Sequence, residues 1–163
     1  MSLFSKSRKK PRIGDVFVLS FPGGMYCFGR VIQNNAIMCK APIFNLVYIY
    51  KYIKKDKNDV PQDLGVQNLL LPPIVTNNQG WLRGYFETIK TVDIHEGEVL
   101  PIHCFENDDF SPAKYFDEDE KELNTKYTIC GSYGLASFWY VYKQVSKKLN
   151  LPLPALDPED EKS

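Results

Sequence analysis

Two histidines, four cysteines and one dense run of carboxylates are the side chains in this 163-residue chain with chemistry to offer. His95 lies in the turn-like stretch His95-Glu96-Gly97-Glu98 and His103 in an apolar one, with no third ligand at metal spacing. A zinc site needs three or four converging ligands, so no metal is expected. Pairing His103 with Cys104 as base and nucleophile fails because adjacent strand residues point to opposite faces. Nothing in the spacing of the carboxylates sets two of them across a cleft as acid and base. Pro22-Gly23-Gly24 lacks the Lys-Ser/Thr pair and following helix of a phosphate-cradling loop. Cys27, Cys39, Cys104 and Cys130 are widely scattered, each in or beside an apolar strand. That is the pattern of buried, reduced thiols, without a disulfide frame or a C-x-x-C site. The expectation is a chain with no catalytic residue, no metal and no cofactor.

What remains is the segment from Glu106 to Glu122, where Glu106, Asp108, Asp109, Asp117, Glu118, Asp119, Glu120 and Glu122 face only Lys114 and Lys121. One reading is purely structural: Lys114 to Asp117 runs out, Glu118-Asp119-Glu120 turns, Lys121 to Asn124 returns, and the acids are solvated. The other is an acidic surface that steers and holds a basic protein. The whole chain is neutral, so this acidity is local, the remainder is net basic, and the resulting dipolar surface speeds encounter with a cationic partner. The candidate contacts are Asp108, Asp109, Tyr115, Phe116, Asp117, Glu118, Asp119 and Glu120, with the two aromatics as anchors.

The elements that must carry this surface begin with Ile13 to Gln33. Apolar β-branched and aromatic residues flank Phe21-Pro22-Gly23-Gly24, where Pro22 presets φ and the glycines tolerate positive φ, so the stretch reads as a hairpin. Gly29 inside the second strand marks a bulge, bend or close backbone approach. Asn34-Asn35 reads as a second turn, and Ala36 to Cys39 and Ile43 to Ile53 as strands, the latter apolar at nearly every position and therefore central in the sheet. Lys51 to Gln67 is polar and projects as a loop with at most a helical turn near Asp63 to Asn68. Leu69 to Leu71 reads as a short edge strand, Thr76 to Gly80 as a turn, and Trp81 to Val92 and Val99 to Phe105 as strands. Leu135, Phe138, Trp139, Tyr142, Val145 and Leu149 recur at helical spacing, giving one amphipathic helix from Gly134 to Leu149, capped by Ser132 and stopped by Asn150 and Pro152. The fold class is α+β and mainly antiparallel: a strongly twisted sheet or small barrel covered by one C-terminal amphipathic helix. Residues 1–12 read as a basic flexible tail, 13–150 as a single β-rich domain, and 151–163 as a Pro-rich, acidic tail.

A core of this length buries roughly 70% of the surface that the unfolded chain exposes, enough for one domain. Lys plus Arg and Asp plus Glu each total 20, which argues against a protein that works by coating nucleic acid. No apolar run is long enough to span a bilayer and none of signal-peptide type follows Met1, so a cytoplasmic protein is expected.

The opening strands also carry a likeness. Gly14-Asp15-Val16-Phe17 followed by Tyr26-Cys27-Phe28-Gly29-Arg30-Val31, then Leu69-Leu70-Leu71-Pro72-Pro73 leading into Trp81-Leu82-Arg83-Gly84-Tyr85-Phe86, then Gly131-Ser132-Tyr133-Gly134-Leu135, resembles the immunity protein 26 family of bacterial polymorphic toxin systems. The likeness spans residues 13 to 145; the segment from Lys51 to Asn68 and the acidic run near Asp117 depart from it. It implies an antitoxin-type immunity protein of contact-dependent growth inhibition, without catalysis, that binds a cognate toxin domain and blocks its active site or substrate path. Many toxins met by such proteins are nucleases with basic substrate-binding surfaces. An alternative is a nucleic-acid-binding β-domain using the basic tail and Lys51, Lys54, Lys55 and Lys57, with affinity falling steeply in salt. A small enzyme is a third, and no site is found for it.

Overall fold

The computed structural model describes residues 3–160. In chain order the strands are β1 (Asp15–Phe21), β2 (Met25–Met38), β3 (Ala41–Lys54), β4 (Ile74–Thr76), β5 (Phe86–Thr91), β6 (Phe105–Asn107), β7 (Lys114–Phe116), β8 (Glu122–Leu123), β9 (Gly131–Ser132) and β10 (Leu135–Ala136). The helices are α1 (Gln79–Leu82), a single turn, and α2 (Phe138–Leu149). A six-stranded sheet has the order β10-β4-β3-β2-β1-β5, and a four-stranded one the order β8-β7-β6-β9. Neither closes into a barrel, and the frame is mainly antiparallel with one substantial helix at its C-terminal end.

The first hairpin closes at Phe21↔Met25 and places Gly29 opposite Phe17. A Cβ on Gly29 would lie 2.5 Å from the Phe17 ring, so this glycine is the close approach that its place in an apolar strand predicts. Strand alternation sorts β1 into two cores. Phe17, Leu19 and Phe21 face one side, where Trp81, Tyr85, Phe86 and the α2 side chains Phe138, Val141, Tyr142 and Val145 pack on them. Val16 and Val18 face the other, with Phe28, Tyr48, Tyr50, Val75 and Phe105. Each such apolar side chain taken from water contributes about 1.5–3 kcal/mol. Consistent with its near-continuous apolar sequence, β3 lies between β2 and β4 with residues 45–50 buried on both faces.

Several expectations are corrected. The chain does not turn at Asn34-Asn35; β2 continues through them with register shifts, and the turn falls at Cys39-Lys40, both at positive φ (52° and 66°), between the pair Met38↔Ala41. Pairing of Val31 with Val47 and Ala36 with Phe44 fixes that later register. Of Trp81 to Val92, only Phe86–Thr91 is strand. Trp81 instead ends up in α1, its ring 5.0 Å from Phe17 and 5.1 Å from Phe86. Leu69 makes one bridge to Tyr50, and Ile74–Thr76 supplies the real neighbour of β3. Val99 to Phe105 becomes strand only at Phe105, because the Leu100 amide is drawn to the Tyr48 hydroxyl. The helix begins at Phe138, not Gly134, since Gly131–Ser132 and Leu135–Ala136 are claimed by the two sheets. Its cap is Ser137, whose Oγ accepts from the Tyr140 amide at 3.1 Å. Cys27 and Cys104 are buried thiols as expected, whereas Cys130 is half-buried and Cys39 exposed at its turn.

The basic segment 3–12 lies against the domain: the Phe4 amide donates to Gly84 O at 2.8 Å and the Ser7 amide to Trp81 O at 3.0 Å. At the other end Pro154 is buried, and Asp160 accepts from the Tyr85 hydroxyl at 2.7 Å and pairs with Arg83. The parts of the two tail readings at 1–2 and 161–163 lie outside the described residues.

Candidate functional site: an acidic hairpin braced from below

The carboxylate run folds as the expected hairpin. Phe116 pairs with Glu122 and Tyr115 with Leu123, and the turn between is tightened by Asp117, whose Oδ1 accepts from the Asp119 amide at 2.9 Å and the Lys121 amide at 3.0 Å. That is the local backbone bonding for which a short carboxylate suits a turn.

The acids of this hairpin are not equivalent. Glu118 turns inward: its Oε2 lies 3.2 Å from Nδ1 of buried His103, and its Oε1 accepts from the Gln33 amide group at 3.4 Å. His103 Nε2 is in turn 2.6 Å from the hydroxyl of fully buried Tyr48, which accepts from the Leu100 amide at 3.0 Å. One proton arrangement satisfies the whole chain. Leu100 donates to the Tyr48 oxygen, Tyr48 donates to Nε2, and Nδ1–H donates to Glu118. Burial by itself would raise the Glu118 carboxyl; the bonds from His103, the backbone and Gln33 outweigh it and hold the group below its ordinary value. Burial pushes the Tyr48 phenol up to about 12, so it stays a donor.

Glu120, itself at positive φ (58°), reaches sideways to the β2–β3 turn. Its Oε1 accepts from the Lys40 amide at 2.8 Å, and its Oε2 accepts from the Tyr133 hydroxyl. Burial opposes ionisation here too, yet the hydrogen bonds from Tyr133, Lys40 and Cys39 leave the Glu120 carboxyl lowered. The Ile37 amide donating to Glu118 O at 2.8 Å completes the brace. Lys40 and Cys39 adopt an unfavourable left-handed conformation for residues with a Cβ, and the carboxylate bond to Lys40 offsets part of that cost.

The outward-facing part is smaller than the sequence suggests. Asp108 and Asp109 are exposed in the turn after β6, Asp119 is exposed at the hairpin tip, and none of the three makes an ion pair among the described residues. Tyr115 is half-buried with its hydroxyl donating to Glu106 at 3.3 Å, and Phe116 sits between Phe110 and Tyr133. Phe110, 42% exposed and capped by the Lys114 ammonium 4.5 Å above its ring, is an outward aromatic that sequence reasoning missed. Its signal was its position directly after Asp108-Asp109.

A second buried polar knot supports the same half of the molecule. Arg30 is fully buried, and its Nη2 donates to Asp93 O at 2.7 Å, Val92 O at 3.3 Å and Glu98 Oε1 at 3.3 Å. It clamps the segment after β5 over the second core. Among the described residues no group of three or more His, Cys, Asp and Glu is placed to hold a metal ion, and no helix is long and apolar enough to cross a membrane.

Against known proteins, the family model of immunity protein 26 matches residues 12–116, more than half of the chain. The chain belongs to the immunity protein 26 family. No curated protein and no solved structure matches it. Membership carries a toxin-neutralising immunity function and a cognate toxin protein as partner. The immunity protein 26 match runs from the first hairpin into β7, so Asp108, Asp109, Tyr115 and Phe116 lie inside it. Asp117 to Glu120, the Gly131–Leu135 stretch and α2 lie beyond it.

Proposed function

We propose that this immunity protein neutralises a bacterial nuclease toxin domain by seating its acidic hairpin on the basic surface with which the nuclease holds its substrate. The block is steric and electrostatic, with no catalysis by the immunity protein itself. The observation that supports it best is a set of free acids on short turns at the two ends of β7: Asp108 and Asp109 are exposed in the β6–β7 turn and Asp119 at the β7–β8 tip, none with a cationic partner among the described residues, and Glu118 and Glu120 anchor the second of these turns. A pre-ordered anionic surface binds without the entropic cost of ordering a loop. Phe110 and Phe116, their rings 6.4 Å apart, supply aromatic area beside Asp108 and Asp109, the residue type that dominates binding energy at such interfaces. The test uses the cognate toxin domain. Mixed with it, the immunity protein should abolish cleavage of nucleic acid at equal molar amounts and elute with it as one species. Cleavage that continues in the presence of excess immunity protein rejects the reading.

The nucleic-acid-binding alternative has weaker support. Lys6, Lys9, Lys10 and Arg12 do line one groove of about 680 Å3, but two of the loop lysines it needs are engaged, Lys54 with Asp59 at 3.2 Å and Lys57 with Glu87 at 2.7 Å.

A further inference from the structure

The two sheets end side by side. β9 is the last strand of the four-stranded sheet and β10 the last of the six-stranded one, and only Tyr133 and Gly134 separate them. On β9 the amides of Gly131 and Tyr133 donate to Cys104 O and Glu106 O at 2.9 and 2.8 Å. Alternation along a strand therefore turns the N–H and C=O of exposed Ser132 away from β6. Gly134, at φ 140°, links the strands in a conformation that residues with a Cβ rarely adopt, and the space where a Cβ would stand is open. These free edges border a groove of about 660 Å3. Its floor is Pro72-Pro73, packed so closely under β9 that a Cβ on Gly131 would lie 2.7 Å from Pro73 O. Two of the few large apolar side chains exposed on the molecule, Leu135 (43%) and Tyr140 (37%), line it. Lys143 enters from α2, while Glu106 on the sheet side is already engaged by Lys126 at 3.6 Å and by the Tyr115 hydroxyl at 3.3 Å. Main-chain groups without partners, apolar side chains and one cationic wall are what an extended peptide needs.

We propose that this groove receives an extended segment of the toxin, added as a strand along β9 and β10, with apolar side chains on Leu135 and Tyr140 and an acidic residue toward Lys143. The proposal rests on the toxin-neutralising reading and extends it. Glu106, which lines the groove, lies on β6 directly before the turn that carries Asp108 and Asp109, so a toxin seated on those acids has the groove within reach.

The test is amide hydrogen exchange of the full chain, alone and in complex with its cognate toxin domain, together with the double variant Leu135→Lys, Tyr140→Lys. The expected result is at least ten-fold slower exchange across residues 132–136 in the complex, and at least ten-fold weaker binding by the variant at an unchanged thermal midpoint. A complex that forms with exchange at 132–136 unaltered, or a folded variant that binds as tightly as the parent, overturns the groove proposal while leaving the neutralising function standing. Protection of the same amides by concentrating the protein without toxin gives the groove to a second copy and overturns it too. Failure to form any complex rejects both readings together.

Discussion

Glu118 at the tip of the acidic hairpin is hydrogen-bonded to Nδ1 of His103, 3.2 Å away, in the floor of the second core. A residue whose type and neighbours mark it as solvated surface is thus a structural brace. The surface it supports has to be probed through other acids.

Removing the histidine should uncouple tip from core. His103→Ala leaves the Tyr48 hydroxyl and the Glu118 carboxylate without their shared partner in a site that is 3% exposed. Stranding buried polar groups in this way costs about 2–4 kcal/mol. Urea denaturation should show that loss with little change in m-value. A loss below the error of the fit would mean that the Tyr48–His103–Glu118 chain does not hold the hairpin.

The braces also set an acid sensitivity. Glu118 and Glu120 both have carboxyls held below their ordinary value, so the unfolded chain binds protons more readily than the folded one. Their stabilising contribution is complete above the ordinary glutamate value of about 4.3 and is lost as pH falls through their depressed folded values. Urea midpoints measured between pH 3 and pH 7 should fall steeply at the acid end. The same series on Glu118→Gln should be flatter there, and identical slopes would remove Glu118 from the account.

Steering belongs to the outward acids. Changing Asp108, Asp109 and Asp119 together to Asn should slow association with the toxin domain by about ten-fold at low salt and weaken its salt dependence, with little effect on the dissociation rate. Thermal stability should be unchanged, since none of the three makes an ion pair among the described residues. Stopped-flow mixing at two ionic strengths reads this directly, and an on-rate equal to that of the parent would place the interface away from these three acids.

The first hairpin supplies a packing test. Gly29→Ala would set a methyl group 2.5 Å from the Phe17 ring and 3.0 Å from Ile49 Cδ1. Overpacking at such a site costs about 1–3 kcal/mol. The thermal midpoint should drop accordingly, and an unchanged midpoint would mean that the Phe17 ring and the Ile49 side chain yield freely.

Long elements were legible in the sequence and short ones were not. The apolar flanks of Phe21-Pro22-Gly23-Gly24 and the spacing of Phe138, Tyr142 and Val145 extend over enough residues for period and turn chemistry to show. β8, β9 and β10 have two residues each, too few for any alternation, and their pairing is decided by strands distant in sequence. Asn34-Asn35 carried a good local turn signal that lost to cross-strand pairing of Ala36 with Phe44 and to the brace from Glu120 onto Lys40. The acidic hairpin was readable as a hairpin, but the division of its acids was not. Which ones turn inward depends on Tyr48 and His103, placed 55 residues apart and brought together only by the fold.

The measurement that bears most directly on the central claim is growth of cells expressing the cognate toxin domain, with and without the protein itself. Full rescue by the parent, and reduced rescue by the equally stable Asp108, Asp109 and Asp119 triple variant, is the result that surface neutralisation predicts. Cells that die equally fast with the folded protein present would contradict it.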